Sequence, residues 1–154
     1  MDLGRLLAEQ RFFSGIEPQD LAVLVAAARV RELDAQQTLV HTGDPARSFY
    51  LVREGRIRRE VPSLVGPPLI MHSIGPREVL GWAWLIPPRQ WAFVARAEQP
   101  TQVIEFDGTR ILERCEADPR FGYAILKRFS GLMSERLTQA RQQMLSEWDP
   151  PGIG

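Results

Sequence analysis

The residues that could do chemistry are concentrated in one stretch, VLGWAWLIPPRQWAFVARA, at residues 79–97. This stretch holds Trp82, Trp84 and Trp91, which are three of the 4 tryptophans in the chain. Aromatic rings at this density near a turn either fill a hydrophobic core or line a pocket for a small ligand. Arg89 is the one charged side chain between the first and the last of them, and it could hold a carboxylate or a phosphate.

Other reactive side chains are sparse. The histidines are His41 and His72, and the single cysteine is Cys115. No acid cluster accompanies them at metal-ligand spacing, so we expect no metal site. Acids lie on both sides of Cys115, and a lowered thiol pKa is therefore not indicated. Because no nucleophile, base and oxyanion donor occur in a recognisable order, we predict no catalytic residue, no enzyme activity and no cofactor.

A short basic run follows one predicted hairpin. It consists of Arg53, Arg56, Arg58 and Arg59. A run of like charges along a hairpin is usually a solvated strand face, and contact with an acidic partner is the alternative.

Length and composition indicate one globular domain. Of the 154 residues 44% are apolar, and 19 basic side chains balance 19 acidic ones, so no general attraction to nucleic acid is expected. A single cysteine excludes an intrachain disulfide and favours a reducing compartment. No run approaches the roughly 20 apolar residues that cross a bilayer, and the N-terminus lacks a cleavable apolar segment. We therefore expect a cytoplasmic protein without membrane contact.

The elements around the tryptophan-rich stretch follow from hydrophobic periodicity. Residues 2–11 and 17–29 carry apolar side chains at helical spacing, and the second segment has acids near its start, where the helix dipole favours them. Residues 30–106 change to the period of short strands, with turn signals at 41–45 and at Glu54-Gly55. Roughly seven or eight such strands predict an α+β fold built around a closed or nearly closed antiparallel β structure.

The last third of the chain returns to helix. Asp107 and Asp118-Pro119 predict the starts of a short helix and of a long one over about residues 120–147. A narrow apolar seam at three-and-four spacing runs along the long helix, and it consists of Leu126, Met133, Leu137, Ala140 and Met144. Such a seam is a candidate dimer contact, and packing of the same stripe on its own domain is the alternative.

Several short motifs, taken in order, resemble one known family. They are an aromatic entry motif, a Gly-acid turn, an aromatic strand, an x-Gly hairpin and a Val-Leu-Gly triplet, at residues 12–16, 43–44, 49–52, 54–57 and 79–81. Together they resemble the cyclic-nucleotide-binding domain of the catabolite activator (Crp/Fnr-like) family. The resemblance implies an antiparallel β-roll, jelly-roll-like or a double-stranded β-helix, flanked by N-terminal helices and a long C-terminal helix. We expect this domain over residues 1–148, with 149–154 as a tail.

The phosphate-binding cassette departs from the family's pattern. In the family an acid after the cassette glycine, here Gly81, binds the ribose hydroxyl, and an arginine further on pairs with the cyclic phosphate. The resemblance puts Trp82 at the acid's position and Trp91 at the arginine's position. An indole offers one N–H donor and no acceptor, and it cannot form the paired bonds with which a guanidinium recognises phosphate. Cyclic AMP and cyclic GMP are therefore predicted not to bind in the family's manner.

Two interpretations of this degenerate cassette stay open. In the first, the indoles fill the former pocket and the domain is a structural or partner-binding module. In the second, the pocket accepts a flatter ligand that is apolar or weakly anionic. The residues that would line this pocket are Gly81, Trp82, Trp84, Trp91 and Phe93, with Arg89 at the mouth.

The resemblance also bears on the output of the domain. Transcription factors of the family continue after the long helix with a helix-turn-helix module, whereas here only residues 149–154 remain, so direct DNA binding is not expected. The family moves its long helix relative to the roll when ligand binds. We therefore expect a stand-alone sensor-like module whose output passes through that helix, either to a second copy in a homodimer or to an unknown protein partner.

Overall fold

A computed structural model describes residues 2–147 of the chain. Over these residues it confirms the predicted α+β fold. The helices are α1 (Leu3–Ala8), α2 (Pro18–Ala26), α3 (Gly108–Ala117) and α4 (Pro119–Glu147), and Arg11–Phe13 forms a 3-10 turn. The strands are β1 (Ala28–Leu33), β2 (Thr38–Val40), β3 (Ser48–Glu54), β4 (Ile57–Val61), β5 (Leu69–Ile74), β6 (Val79–Leu80), β7 (Val94–Ala97) and β8 (Thr101–Asp107). The predicted domain end at Trp148 and the tail at 149–154 lie outside the described residues.

The strands of residues 2–147 form two antiparallel sheets, in the orders β1-β8-β3-β6 and β2-β7-β4-β5. The prediction of a hairpin at Glu54-Gly55 is wrong, because this turn joins β3 of the first sheet to β4 of the second and the two strands do not pair with each other. Gly55 has φ +98°, and a Cβ there would collide with the backbone of Pro100 and Thr101. Only glycine fits this corner, which brings the two sheets face to face as a roll.

The first sheet is buried on both faces, and this divides the hydrophobic interior into two parts. One face packs on the helices and forms the helix-side core, which includes Phe49, Leu51, Ile104, Phe106, Ile125 and Phe129. The other face packs on the second sheet and forms the roll interior, which includes Tyr50, Val52, Ile57, Leu80, Ala95 and Val103. Successive residues of β3 and β8 alternate between these two parts because side chains alternate along a strand.

The second helix is shorter than predicted. The apolar periodicity indicates a helix over residues 17–29, whereas α2 ends at Ala26 and β1 begins at Ala28. Ala28 and Arg29 pair with Phe106 and Glu105 of β8 instead. The ladder with the central strand of the first sheet overrides the local helical pattern at this boundary.

An ion pair fixes α2 against the start of α4. The buried carboxylate of Asp20 accepts hydrogen bonds from two nitrogens of the Arg120 guanidinium, at 2.7 and 2.8 Å. These bonds hold the pKa of Asp20 below its usual value. This ion pair therefore anchors α2 to the start of the long helix.

The long helix carries two apolar stripes rather than one. Its first half buries Phe121, Ile125, Phe129 and Leu132 in the helix-side core. The predicted seam lies beside this stripe, and Leu126, Leu137 and Met144 on it are 48, 52 and 70% exposed. Neither α4 nor any other helix in residues 2–147 is both long and apolar enough to cross a membrane.

Candidate functional site

The indole of Trp91 occupies the roll interior beside Gly81. Trp91 is 5% exposed, and its ring lies 6.2 Å from the Tyr50 ring and 5.8 Å from the Phe93 ring, between centroids. Gly81 has φ +99°, and a Cβ on it would lie 2.5 Å from Cη2 of Trp91. The two residues therefore fit each other: glycine gives both the backbone conformation and the space that the ring takes.

Backbone hydrogen bonds hold Trp91 in this inward position. The Trp91 N–H donates to the Asp44 carbonyl oxygen at 2.9 Å, and the Gly43 N–H donates to the Trp91 carbonyl oxygen at 2.8 Å. The Ala46 N–H donates to the Arg89 carbonyl oxygen at 2.8 Å. The Gly-Asp turn predicted from the sequence is thus the element that positions the end of the 81–93 segment.

Trp84 does not belong to the predicted pocket. It is fully buried in the helix-side core, where its ring stacks on Phe49 at 5.2 Å and meets Phe129 edge-on at 5.1 Å. This position is on the opposite side of the first sheet from Trp91. The prediction that Trp84 lines the pocket is wrong, because the turn after Gly81 directs this side chain towards α4 and not into the roll interior.

The remaining predicted pocket residues fall into two groups. Gly81, Trp82, Trp91 and Phe93 do come together, around a small cavity of about 70 Å³. Arg89 is exposed, and its backbone carbonyl oxygen accepts a hydrogen bond from the Ala46 N–H. The structure therefore brings four of the six predicted residues together and leaves Trp84 and Arg89 apart.

A larger cleft of about 250 Å³ opens beside this small cavity, between α4 and the second sheet. We call it the α4 cleft. It shares three lining residues with the small cavity, Arg59, Trp82 and Arg136. Its other walls come from β5 and from α4, and they are formed by Met71, His72, Met133, Leu137, Gln139, Ala140 and Gln143. The seam residue Met133 thus also contacts its own domain.

Two arginines that are largely shielded from water meet at this cleft. Arg59 of β4 is 4% exposed, and its Nε and Nη2 donate to the His72 carbonyl oxygen at 3.1 and 2.9 Å. Arg136 of α4 is 8% exposed, and its Nη2 donates to the Val79 carbonyl oxygen at 2.7 Å. The guanidinium carbon of Arg59 also lies 5.7 Å from the centroid of the Phe93 ring, a cation–π contact.

The charges of these two arginines are incompletely balanced. Burial, and then the positive charge of Arg136, lowers the pKa of Arg59 to about 10. Burial likewise lowers the pKa of Arg136, and the carboxylate of Glu78 opposes that shift. Among residues 2–147 Glu78 is the one acid within salt-bridge range of either guanidinium, 3.9 Å from Nη2 of Arg136. Both side chains stay protonated at neutral pH, so the cleft carries a net positive charge.

The sequence contains a signal for Arg59 that the hairpin interpretation missed. Arg58 and Arg59 are neighbours on β4, and neighbouring strand residues point to opposite faces. Arg58 forms an ion pair with Glu60 at 2.7 Å on the outer face, whereas Arg59 lies inside. Interpreting all four arginines of the hairpin as one solvated face was therefore wrong for Arg59. Arg136 carries no comparable local signal.

The charged groups on the other side of the roll are already paired. Glu105 is nearly buried, and it accepts hydrogen bonds from Arg29 at 2.7 Å and from Arg31 at 2.9 Å. Burial, with the charge of Glu105, raises the pKa of the neighbouring Tyr50 to about 12, so its hydroxyl stays neutral. Here one carboxylate pairs directly with both arginines, and the side chains of Arg29 and Arg31 are more exposed to solvent than those of Arg59 and Arg136.

Residues 2–147 contain no group of three or more histidine, cysteine or acidic side chains that could hold a metal ion. Cys115 is half-buried, and burial raises the pKa of its thiol to about 11.

Comparison with known sequences gives a family match and a distant relative. The profile of the family described as "Cyclic nucleotide-binding domain" matches residues 30–118. A curated protein, acetyltransferase Pat of Mycolicibacterium smegmatis, is 33% identical over 75 residues, which are 49% of this chain and 22% of that protein. The chain thus spans about a fifth of the length of this relative.

Comparison with solved structures gives extensive similarity of fold. A cyclic nucleotide-binding domain from Methylobacillus flagellatus KT superposes with a TM-score of 0.80 at 15% identity, over 97% of this chain and 84% of that one. The sensor domain of the transcriptional regulator DNR from Pseudomonas aeruginosa superposes with a TM-score of 0.68 at 21% identity, over 86% of this chain and 94% of that one. At these identities the similarity concerns the fold.

Proposed function

The chain belongs to the cyclic nucleotide-binding domain family, and on that premise we propose a regulatory module whose cassette has lost the nucleotide and whose output passes through α4. Its fold is that of regulatory and sensor domains of this type. The proposal has two parts, a filled cassette and a helix that pairs with a second copy. The role is non-catalytic.

The position of Trp91 on Gly81 is the observation that carries the first part. Its ring takes the space against the cassette glycine, and Arg89 is the one charged residue in 81–93. A nucleotide that entered the roll would have to displace the indole from its buried site. Emptying such a site costs about 3–5 kcal/mol, as removal of a buried tryptophan does, and this weakens binding by roughly two to three and a half orders of magnitude.

The exposed seam of α4 supports the second part. Leu126, Met133, Leu137, Ala140 and Met144 are spaced by seven, four, three and four residues, which is the a/d pattern of a coiled-coil contact. Leu126, Leu137 and Met144 of this seam are exposed, whereas Met133 also packs against the helix-side core. A second copy of α4 would cover it symmetrically, and an unidentified protein helix is the other candidate partner.

Titration calorimetry with cyclic AMP and cyclic GMP tests the filled cassette. We expect no heat of specific binding and no change in melting temperature with either nucleotide. Ligand at a hundred times its Kd would stabilise the folded state by about 2.7 kcal/mol, which raises the melting temperature of a domain of this size by roughly 5–11 °C. Micromolar binding of either nucleotide, with a shift of that size, would contradict the proposal.

A further inference from the structure

The α4 cleft holds two buried arginines that neither the filled cassette nor the helix seam uses. It is open to solvent, it has a volume of about 250 Å³, and Arg59 and Arg136 are among the residues that line it. We propose that this cleft binds a small planar aromatic carboxylate, with the carboxylate between Arg59 and Arg136 and the ring against Trp82. This site lies outside the roll interior, and it shares Met133, Leu137 and Ala140 with the seam of α4.

The excess positive charge of the cleft favours binding of an anion. Arg59 and Arg136 are each more than nine-tenths buried, and within residues 2–147 the one acid in salt-bridge range of either is Glu78, 3.9 Å from Nη2 of Arg136. Their hydrogen bonds to the carbonyl oxygens of His72 and Val79 satisfy donors but do not neutralise charge. A guanidinium presents five N–H donors, so both arginines retain donors beyond those bonds. A carboxylate would neutralise the excess charge with charge-assisted hydrogen bonds.

The residues that line the cleft favour a ligand with a flat apolar ring. Trp82 is half-buried, and it lines both the small cavity and the cleft. Met71 and Met133 contribute flexible side chains that adapt to a ring and make favourable sulfur–aromatic contacts. A volume of about 250 Å³ is below the usual range for drug-sized ligands, so the occupant is a compact one- or two-ring compound.

Because the two arginines lie on different elements, a ligand bound to both would affect the position of α4. Arg59 belongs to the second sheet and Arg136 to the long helix, so one bound carboxylate would bridge the two elements. A ligand that binds both would favour the arrangement in which α4 lies against the sheet. Binding at this cleft would then regulate the position of the helix that carries the proposed output.

The test uses 2-naphthoate as the probe and 2-naphthamide, which has the same ring but no charge, as its control. Calorimetry at neutral pH is expected to give a Kd for naphthoate below about 1 mM and binding of the amide at least tenfold weaker. In NMR spectra of the full chain, the Nε resonances of Arg59 and Arg136 and the indole resonance of Trp82 should shift with naphthoate. Equal binding of acid and amide, or no binding of naphthoate at about 1 mM, would overturn the proposal.

Matched variants separate the site from general effects. Arg59→Gln should weaken naphthoate at least tenfold, and Arg59→Lys, which keeps the charge, should retain part of the affinity. Arg58→Gln changes the neighbouring residue on the outer face of the same strand, and it should bind as the parent does. If Arg58→Gln and Arg59→Gln lost affinity equally while both kept the parent's circular dichroism spectrum, the assignment to the cleft would be wrong.

Competition between naphthoate and cyclic AMP distinguishes the test of the cleft from the test of the filled cassette. Cyclic AMP that bound and displaced naphthoate would contradict the filled cassette and place both ligands in one pocket. Naphthoate binding that cyclic AMP leaves unchanged supports the cleft without touching the roll interior. Loss of naphthoate binding in Trp91→Ala but not in Trp82→Ala would place the probe in the roll interior, and it would overturn the assignment to the cleft.

Discussion

The fit between Gly81 and Trp91 can be tested by changing both partners. In Gly81→Ala the new methyl group would lie 2.5 Å from Cη2 and 2.8 Å from Cζ3 of the Trp91 ring. It would also sit at φ +99°, a conformation that side chains with a Cβ rarely adopt. Trp91→Ala removes the ring and with it the collision, but it leaves the backbone conformation unchanged.

The expected free energies follow from these two components. The positive φ costs an alanine about 1–2 kcal/mol, and the collision adds about 1–3 kcal/mol of overpacking. Trp91→Ala alone should lower the free energy of unfolding by about 3–5 kcal/mol, because it empties a buried aromatic site. In the Trp91→Ala background, Gly81→Ala should then cost only about 1–2 kcal/mol, which leaves a coupling energy of about 1–3 kcal/mol.

The assay is urea denaturation followed by far-UV circular dichroism, since fluorescence would change with the tryptophan itself. Linear extrapolation gives the free energy of unfolding for the parent, both single variants and the double variant. Gly131→Ala serves as a control, because nothing lies within 4 Å of a Cβ built on that glycine of α4. It should stabilise the chain by about 0.5–1 kcal/mol in either background. Additivity of Gly81→Ala and Trp91→Ala within about 0.5 kcal/mol would refute the filled cassette as the reason for this glycine.

Three further predictions concern the seam, the buried ion pair and the cysteine. Leu137→Glu should convert a dimer into a monomer in sedimentation equilibrium, and an unchanged mass would remove the seam from the proposal. Arg120→Gln should lower the free energy of unfolding at neutral pH by about 1–3 kcal/mol, since Asp20 loses charged donors. The pKa of Asp20 is held below its usual 3.8. The contribution of the ionised Asp20 to the free energy of unfolding is therefore fully present above pH 3.8 and is lost as the pH falls further. Because Arg120→Gln removes this contribution, the variant should lose less stability on acidification than the parent does. Cys115, with a thiol pKa of about 11 against the usual 9.0, should react with iodoacetamide at pH 8 about a hundredfold more slowly than a free thiol, and an equal rate would contradict its burial.

Much of the fold is encoded in local patterns. The alternation of β3 and β8, the glycine at position 55 and the acid caps at Asp107 and Asp118 each act over a few residues. Asp107 accepts a hydrogen bond from the Arg110 N–H at 3.2 Å, as a helix cap does. These features predict the order of elements and the resemblance to the family, and both are confirmed. The end of α2 is less well predicted, because pairing with β8 decides it.

The sequence alone predicts that tryptophans stand where the family's pattern has an acid and an arginine, since residue identity fixes what a side chain can donate or accept. Tertiary structure alone decided where each indole lies. Residues 81–93 have no strand or helix period, so long-range packing sends Trp84 towards Phe49 and Trp91 towards Gly81.

The same reason applies to the two arginines of the α4 cleft. Arg59 and Arg136 belong to a strand and a helix far apart in the chain. Alternation along β4 indicates an inward side chain for Arg59, but neither segment by itself indicates that the two arginines lie on one cleft. Only the packing of α4 on the second sheet removes both from water and places them on one cleft. The burial and the neighbouring charges of an ionisable side chain determine its properties, and here they are set by segments that are not adjacent in sequence.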